Sequence, residues 1–209
     1  MSEILKDSEP PQDSWTFKDA FLALGAFVVI AALAVGGFFY YQSIKPPLVK
    51  EDSMAPGFTF PLLGGGEASL SDYRGKIVLL NIWNTNCLEC KKEMPLMQIK
   101  YQGLKDRPFE ILAVSTDQRG ATDVQPWVNN LFYDDGQKVK LTFPILLDTE
   151  NEVGDTYQTV KYPESFIIDK EGKVIKIIIG RLTETDFQLI EHLVGLNSGP
   201  VLNIPSSTP

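Results

Sequence analysis

The chain has 209 residues, enough for one globular domain plus an appendage, and a formal charge of −8 at pH 7. It carries no Lys/Arg-rich run, which argues against a nucleic-acid footprint. Two cysteines cannot staple a scaffold of this length, and two cysteines with one histidine, His192, cannot complete a four-ligand structural zinc site.

Residues 1–19 read as an N-terminal tail. From Ala20 to Ile44 no residue is charged, and residues 21–39 are almost wholly apolar. A bilayer crossing needs about 20 such residues. Trp15, Tyr40 and Tyr41 stand at the ends, where amphipathic rings favour the interface. The segment 20–41 is therefore expected to be a transmembrane signal anchor. A cleaved signal peptide is the rival reading, because Ala32-Leu33-Ala34 has the small-x-small form of a cleavage site. The apolar run continues past that site and the preceding segment is acidic, which favours the anchor. Lys6 and Lys18 on one side balance Lys45 and Lys50 on the other, so the positive-inside rule does not orient the segment. A short tail before the anchor and a large domain after it fit a domain on the outer side.

Residues 42–56, with Pro46, Pro47 and Pro56, read as an extended tether. The domain is expected over 57–195. Phe58-Thr59-Phe60 is a short strand candidate, followed by a turn at Gly64-Gly65-Gly66. Residues 69–76 read as a loop or helical turn leading into an apolar strand over 77–83. A helix from Cys87 to about Tyr101 follows, with Pro95 expected to kink it. Residues 109–115 read as a buried strand, 127–132 as a short helix and 144–148 as a short strand. Residues 166–169 and 174–179 flank the turn at 170–173 as a hairpin. Thr183-x-x-Asp186 is a capping-box pattern that opens a last helix through about Leu193. The tail 196–209 carries Pro200, Pro205 and Pro209 and is expected to be mobile. The order β-α-β-α-β-β-α predicts an α/β fold, a central mixed sheet with helices on both faces.

Cys87-Leu88-Glu89-Cys90 holds both cysteines at C-x-x-C spacing, between the strand and the helix. A helix start places partial positive charge at the first sulfur and favours its thiolate. The second sulfur, one turn on, is close enough to close a disulfide. The pair reads as a cycling dithiol/disulfide. A passive structural bridge is the alternative, but one closing so small a loop restricts the unfolded chain little.

The stretch Trp83-Asn84-Thr85-Asn86-Cys87-Leu88-Glu89-Cys90-Lys91-Lys92-Glu93-Met94-Pro95 resembles the active-site strand and helix of thioredoxin-like proteins. It is most similar to the membrane-anchored ResA/CcmG/TlpA group used in cytochrome c maturation. Ala55-Pro56-Gly57-Phe58 and Leu70-Ser71-Asp72-Tyr73-Arg74-Gly75-Lys76 resemble the group's entry strand and the loop before its core strand. Tyr162-Pro163-Glu164-Ser165-Phe166-Ile167-Ile168-Asp169 resembles its cis-proline loop and following strand. Three positions depart from the group. Asn86 stands where an aromatic residue usually precedes the first cysteine, Leu-Glu separates the cysteines where relatives often carry a proline, and 118–142 is longer than expected.

The resemblance implies a thioredoxin-like fold whose redox centre is its own Cys87–Cys90 disulfide, with no metal. Cys87 is the implied nucleophile, Cys90 the resolving thiol and Glu93 the acid that tunes them and shuttles protons. Glu93 otherwise reads as a solvated helix charge. Asn81 occupies the strand position where thioredoxins carry a buried acid, and an amide cannot shuttle a proton. Pro163 is the implied cis-proline, with the Tyr162 backbone facing the dithiol to pair with an extended substrate. Trp83 reads as core or as a cover over the site, Glu164 as charge near the site or as exposed, and His192 as structural. The implied partners are protein disulfides, among them apocytochrome c, and a membrane thiol reductase as electron donor. The implied location is the bacterial cytoplasmic (inner) membrane, single-pass, with the domain on the periplasmic or extracytoplasmic side. A disulfide oxidase or general exchanger on the same fold is the alternative. A peroxiredoxin-type peroxidase ranks below it, because Asn84 replaces the Thr three residues before the reactive cysteine. A non-enzymatic metallochaperone is a further, less favoured alternative, because no evident His lies near the cysteines and the C-x-x-C spacing is shorter than the C-x-x-x-C of copper-handling relatives.

Overall fold

The computed structural model describes residues 17–44 and 49–195. The expected tails 1–16 and 196–209, Trp15, Pro46 and Pro47, and the side chains of Tyr40 and Tyr41, lie outside the described set. The described residues divide into two units at about residue 47.

The first unit is one helix, α1 (Phe17–Ile44). Its stretch Phe17–Phe39 is long and apolar enough to cross a membrane, and none of it is buried. Twenty-three residues at a rise of ~1.5 Å each span about 35 Å, against a hydrocarbon core of about 30 Å.

The second unit is a thioredoxin-like α/β domain. Its elements are β1 (Thr59–Pro61), β2 (Glu67–Ser69), a 3-10 turn (Leu70–Tyr73), β3 (Ile77–Trp83), α2 (Leu88–Leu104), β4 (Phe109–Ser115), α3 (Ala121–Val128), β5 (Ile145–Leu147), α4 (Glu152–Tyr157), β6 (Glu164–Ile168), β7 (Val174–Ile179) and α5 (Glu184–Leu193). The main sheet has the order β5-β4-β3-β6-β7. Strands β3, β4 and β5 are parallel, β6 runs antiparallel to β3, and β7 runs antiparallel to β6. The hairpin β1–β2 stands apart, joined to β5 through the Leu62–Leu146 bridge.

Every residue of β3 and β4 is buried. Their alternation divides the core in two. Ile77, Leu79 and Trp83 pack with Met94 and Met97 of α2, Val124 of α3 and Phe187 and Ile190 of α5. Val78, Leu80 and Ile82 pack with Val153 and Tyr157 of α4, Phe60 of β1 and Ala68 of β2. Burying a side chain of this size contributes about 1.5–3 kcal/mol, so these two layers hold β3 rigidly at the centre of the sheet.

Several local readings shift. Residues 49–56, read as the end of the tether, lie against the β6–β7 hairpin: Val49 and Ala55 are buried, Asp52 N–H donates to Val174 O at 2.8 Å and Ala55 N–H to Gly172 O at 2.9 Å. The helix expected over 127–132 is α3, six residues earlier. It starts at Gly120, whose φ of +52° is a conformation glycine favours. Pro126 lies inside it, at the cost of one backbone hydrogen bond. Residues 131–139 instead form a small bridge, with Val139 N–H donating to Leu131 O at 2.9 Å. Strand β2 and helix α4 were not expected. Helix α4 has six residues, too few to show a period, and is started by Asp148, whose carboxylate accepts Glu152 N–H at 2.9 Å and Val153 N–H at 2.8 Å.

Candidate active site

Strand β3 ends at Trp83 and α2 begins at Leu88, so the first cysteine is the residue that caps the helix. Cys87 has extended backbone angles, and its Sγ accepts the Cys90 N–H at 3.0 Å. Cys87 and Cys90 form a disulfide with their Cα atoms 5.3 Å apart. The two sulfurs differ in access: Cys90 is buried in the core, whereas Cys87 is only partly covered. An incoming group therefore meets Cys87 first. A thiolate there would face the orphan N–H groups of α2, which favour negative charge.

The loop before the dithiol is fixed by a residue that sequence reading did not single out. Asp117, just past β4, accepts the Thr85 N–H at 3.0 Å and the Thr85 hydroxyl at 2.6 Å. Ser115 donates to the same carboxylate at 2.7 Å. Asn84 Oδ1 accepts the Asn86 N–H at 3.1 Å, and Asn86 is exposed. The only sequence signal for Asp117 is a charged residue directly after a buried strand.

Glu93 lies three residues after Cys90 on α2, and it is buried, not solvated. One carboxylate oxygen accepts the Leu182 N–H at 3.0 Å, and the other has no hydrogen-bond partner among the described residues. Burial pushes its pKa up to about 7. The Leu182 N–H and the charge of Arg181 offset part of that rise.

The Tyr162–Pro163 peptide is cis and Pro163 is buried. Glu164 pairs with Ile82 in the β3–β6 register, which places Pro163 at the sheet end from which the Cys87 loop leaves. Tyr162 is partly exposed. Its hydroxyl accepts from Thr116 Oγ1 at 3.1 Å and donates to Asn151 Oδ1 at 3.2 Å. Gly180 N–H donates to Pro163 O at 2.8 Å. The three-residue stretch 180–182 thus bonds to both the cis-proline and Glu93.

Trp83 has no accessible surface and stacks on Trp127 with ring centroids 4.6 Å apart. Of the two readings, core and cover, its burial fits core. Asn81 is buried, with Nδ2 donating to Ser165 Oγ at 2.9 Å. Glu164 is buried as well, and its carboxylate accepts the Val160 N–H at 3.0 Å. Burial raises its pKa. His192 is exposed in the last turn of α5. Among the described residues no group of three or more His, Cys, Asp or Glu side chains is arranged to hold a metal ion.

Residues 52–177 match the AhpC/TSA family model. The thiol-disulfide oxidoreductase ResA of Geobacillus thermodenitrificans is 36% identical over 174 residues, 82% of this chain and 94% of that protein. ResA of Bacillus subtilis is 36% identical over 160 residues, 76% of this chain and 83% of that protein. The chain belongs to the ResA/CcmG/TlpA group of the AhpC/TSA family. The solved structures of this kind agree. The thioredoxin domain of a thiol-disulfide oxidoreductase from Bacteroides vulgatus superposes with a TM-score of 0.58 at 29% identity, over 70% of this chain and 99% of that one. StoA from Bacillus subtilis gives 0.52 at 25% identity, over 67% and 97%. As a member of this group the chain is a protein-disulfide oxidoreductase, and Cys87–Cys90 is its C-x-x-C pair.

Proposed function

We propose that this oxidoreductase is tethered by α1 to the bacterial cytoplasmic membrane, faces the extracytoplasmic side, and reduces protein disulfides in cytochrome c maturation, apocytochrome c among them. On this reading 20–41 is the anchor, 57–195 the working domain, and 1–19 and 196–209 tails. The observation that carries the exchange chemistry is the pairing of a half-covered Cys87 at a helix start with a buried Cys90 one turn behind it.

The Cys87 thiolate attacks one sulfur of the partner disulfide. A Cys87–partner mixed disulfide forms and the other partner sulfur leaves as thiolate, to be protonated. The Cys90 thiolate then attacks Cys87 Sγ, closes Cys87–Cys90 and releases the second partner thiol. Two electrons pass to the partner, and a membrane thiol reductase returns them.

Glu93 is the acid beside this step. A carboxyl titrating near 7 can take the proton of Cys90 as it becomes the attacking thiolate and return it to solvent. The cis Tyr162–Pro163 peptide offers backbone groups to an extended substrate segment.

The direction is tested by the reduction potential of Cys87–Cys90 in the full chain. A reductant lies near the ~−270 mV of thioredoxin, and a value near the ~−120 mV of DsbA would assign the oxidase alternative instead.

A further inference from the structure

The surface beside Cys87 gathers basic side chains, although the chain as a whole is acidic. The molecule carries −8, yet basic side chains from three separate elements converge on the residue between the cysteines. Lys92 of α2 holds Glu89 at 2.6 Å, and Arg181 of the β7–α5 loop stands 3.7 Å from its other oxygen. Lys161, next to Tyr162 in the cis-proline loop, acts on the same carboxylate. The hydrogen bond from Lys92, then the charges of Lys92, Arg181 and Lys161, hold Glu89 below the usual carboxylate range. All three cations are exposed, and Lys91 adds a fourth exposed cation on α2.

The accessible acids of the same region are Glu89, Asp134 and Asp135, three carboxylates against four cations. Glu93 and Glu164 are buried, bound to backbone N–H groups, and raised in pKa. Asp134 and Asp135 lie across the groove beside α2, whose near wall is Leu88, Lys91, Lys92 and Arg181. Exposed Leu88 (66%) adjoins Cys87 and gives the collar an apolar centre.

We propose that Lys161, Lys92 and Arg181 form a recognition collar for protein disulfides that carry an acidic residue beside the reacting cysteine. The partner's carboxylate takes over cations now shared with Glu89 as its sulfur reaches Cys87. This rests on the exchange reading above and names the class of substrate that the site selects. A basic partner would instead bring like charge to these cations, so the collar attracts one class and turns away the other. Oppositely charged exposed groups also speed encounter, and salt screens that gain.

The test uses the full chain, reduced, in uncharged detergent micelles. Its probes are two disulfide peptides that differ only in Asp or Lys flanking the cysteines. At low salt the Asp peptide is expected to be reduced about tenfold faster than the Lys peptide. The ratio should fall at least threefold in 0.5 M salt and in the Lys161→Gln/Arg181→Gln variant, and stay unchanged in Arg181→Lys. A ratio near one, a ratio favouring the Lys peptide, or a ratio indifferent to both the variant and salt overturns the collar while leaving exchange intact. Reduction of neither peptide overturns the exchange reading and the collar with it. Because the readout is a ratio between substrates, a merely structural loss of activity does not move it.

Discussion

Glu93 shows how one buried carboxyl ties chemistry to stability. Its carboxyl is raised from the ordinary 4.5 to about 7 because burial disfavours the charged form. The folded protein therefore holds this proton more tightly than the unfolded chain. The stabilisation is complete below about pH 4.5 and is lost as pH rises through about 7. At ~1.4 kcal/mol per pH unit it is worth about 3 kcal/mol. Urea unfolding of the oxidised protein from pH 4 to 8 is expected to show this decline, and Glu93→Gln should flatten it. The same substitution should slow disulfide exchange at least tenfold and remove a step near pH 7 from the rate profile. A second residue-scale prediction concerns Asp117, which holds Thr85 and Ser115. Asp117→Ala leaves three donors unpaired and should cost about 2–4 kcal/mol, read by thermal unfolding. The Cys87–Cys90 pair and the cis Pro163 were legible in motif order, whereas the burial of Glu93 was not, since its residue-level reading is a solvated helix charge. Asp117 was not legible either, because Thr85 lies in the loop after β3 and no local pattern connects the two.

Elements with a local cause were the readable ones. The last helix starts at Thr183, whose hydroxyl accepts the Asp186 N–H while Asp186 reaches back to the Thr183 N–H at 2.7 Å. The capping box is visible as Thr-x-x-Asp, and Thr183→Ala is expected to cost about 1 kcal/mol in urea unfolding. Strands β3 and β4 were legible because runs of apolar residues bounded by turn signals mark strands buried on both faces. Helix α4 and strand β2 have non-local causes. Asp148 starts α4, but six residues leave no period to read, and β2 exists only because β1 pairs with it. Residues 49–56 look like a linker by their charges and Pro56, and only backbone hydrogen bonds exchanged with Gly172 and Val174 explain why they dock.

At the scale of the whole molecule, the sequence separates two units: an apolar helix without charge from residue 20 onward and a domain with its own divided core. If α1 anchors the domain, the full chain should stay in the membrane fraction through alkaline carbonate washing, and a variant with four Lys substituted into 21–39 should be released. After reduction, the accessible Cys87 should react with a membrane-impermeant thiol reagent applied from outside. The central claim is that Cys87 attacks a partner and Cys90 resolves the product, and trapping tests it most directly. Cys90→Ser in the full chain, expressed in cells of the source type, should accumulate a reductant-sensitive covalent complex through Cys87 that Cys87→Ser/Cys90→Ser does not form. Absence of any such complex, or its equal formation without Cys87, would contradict the account.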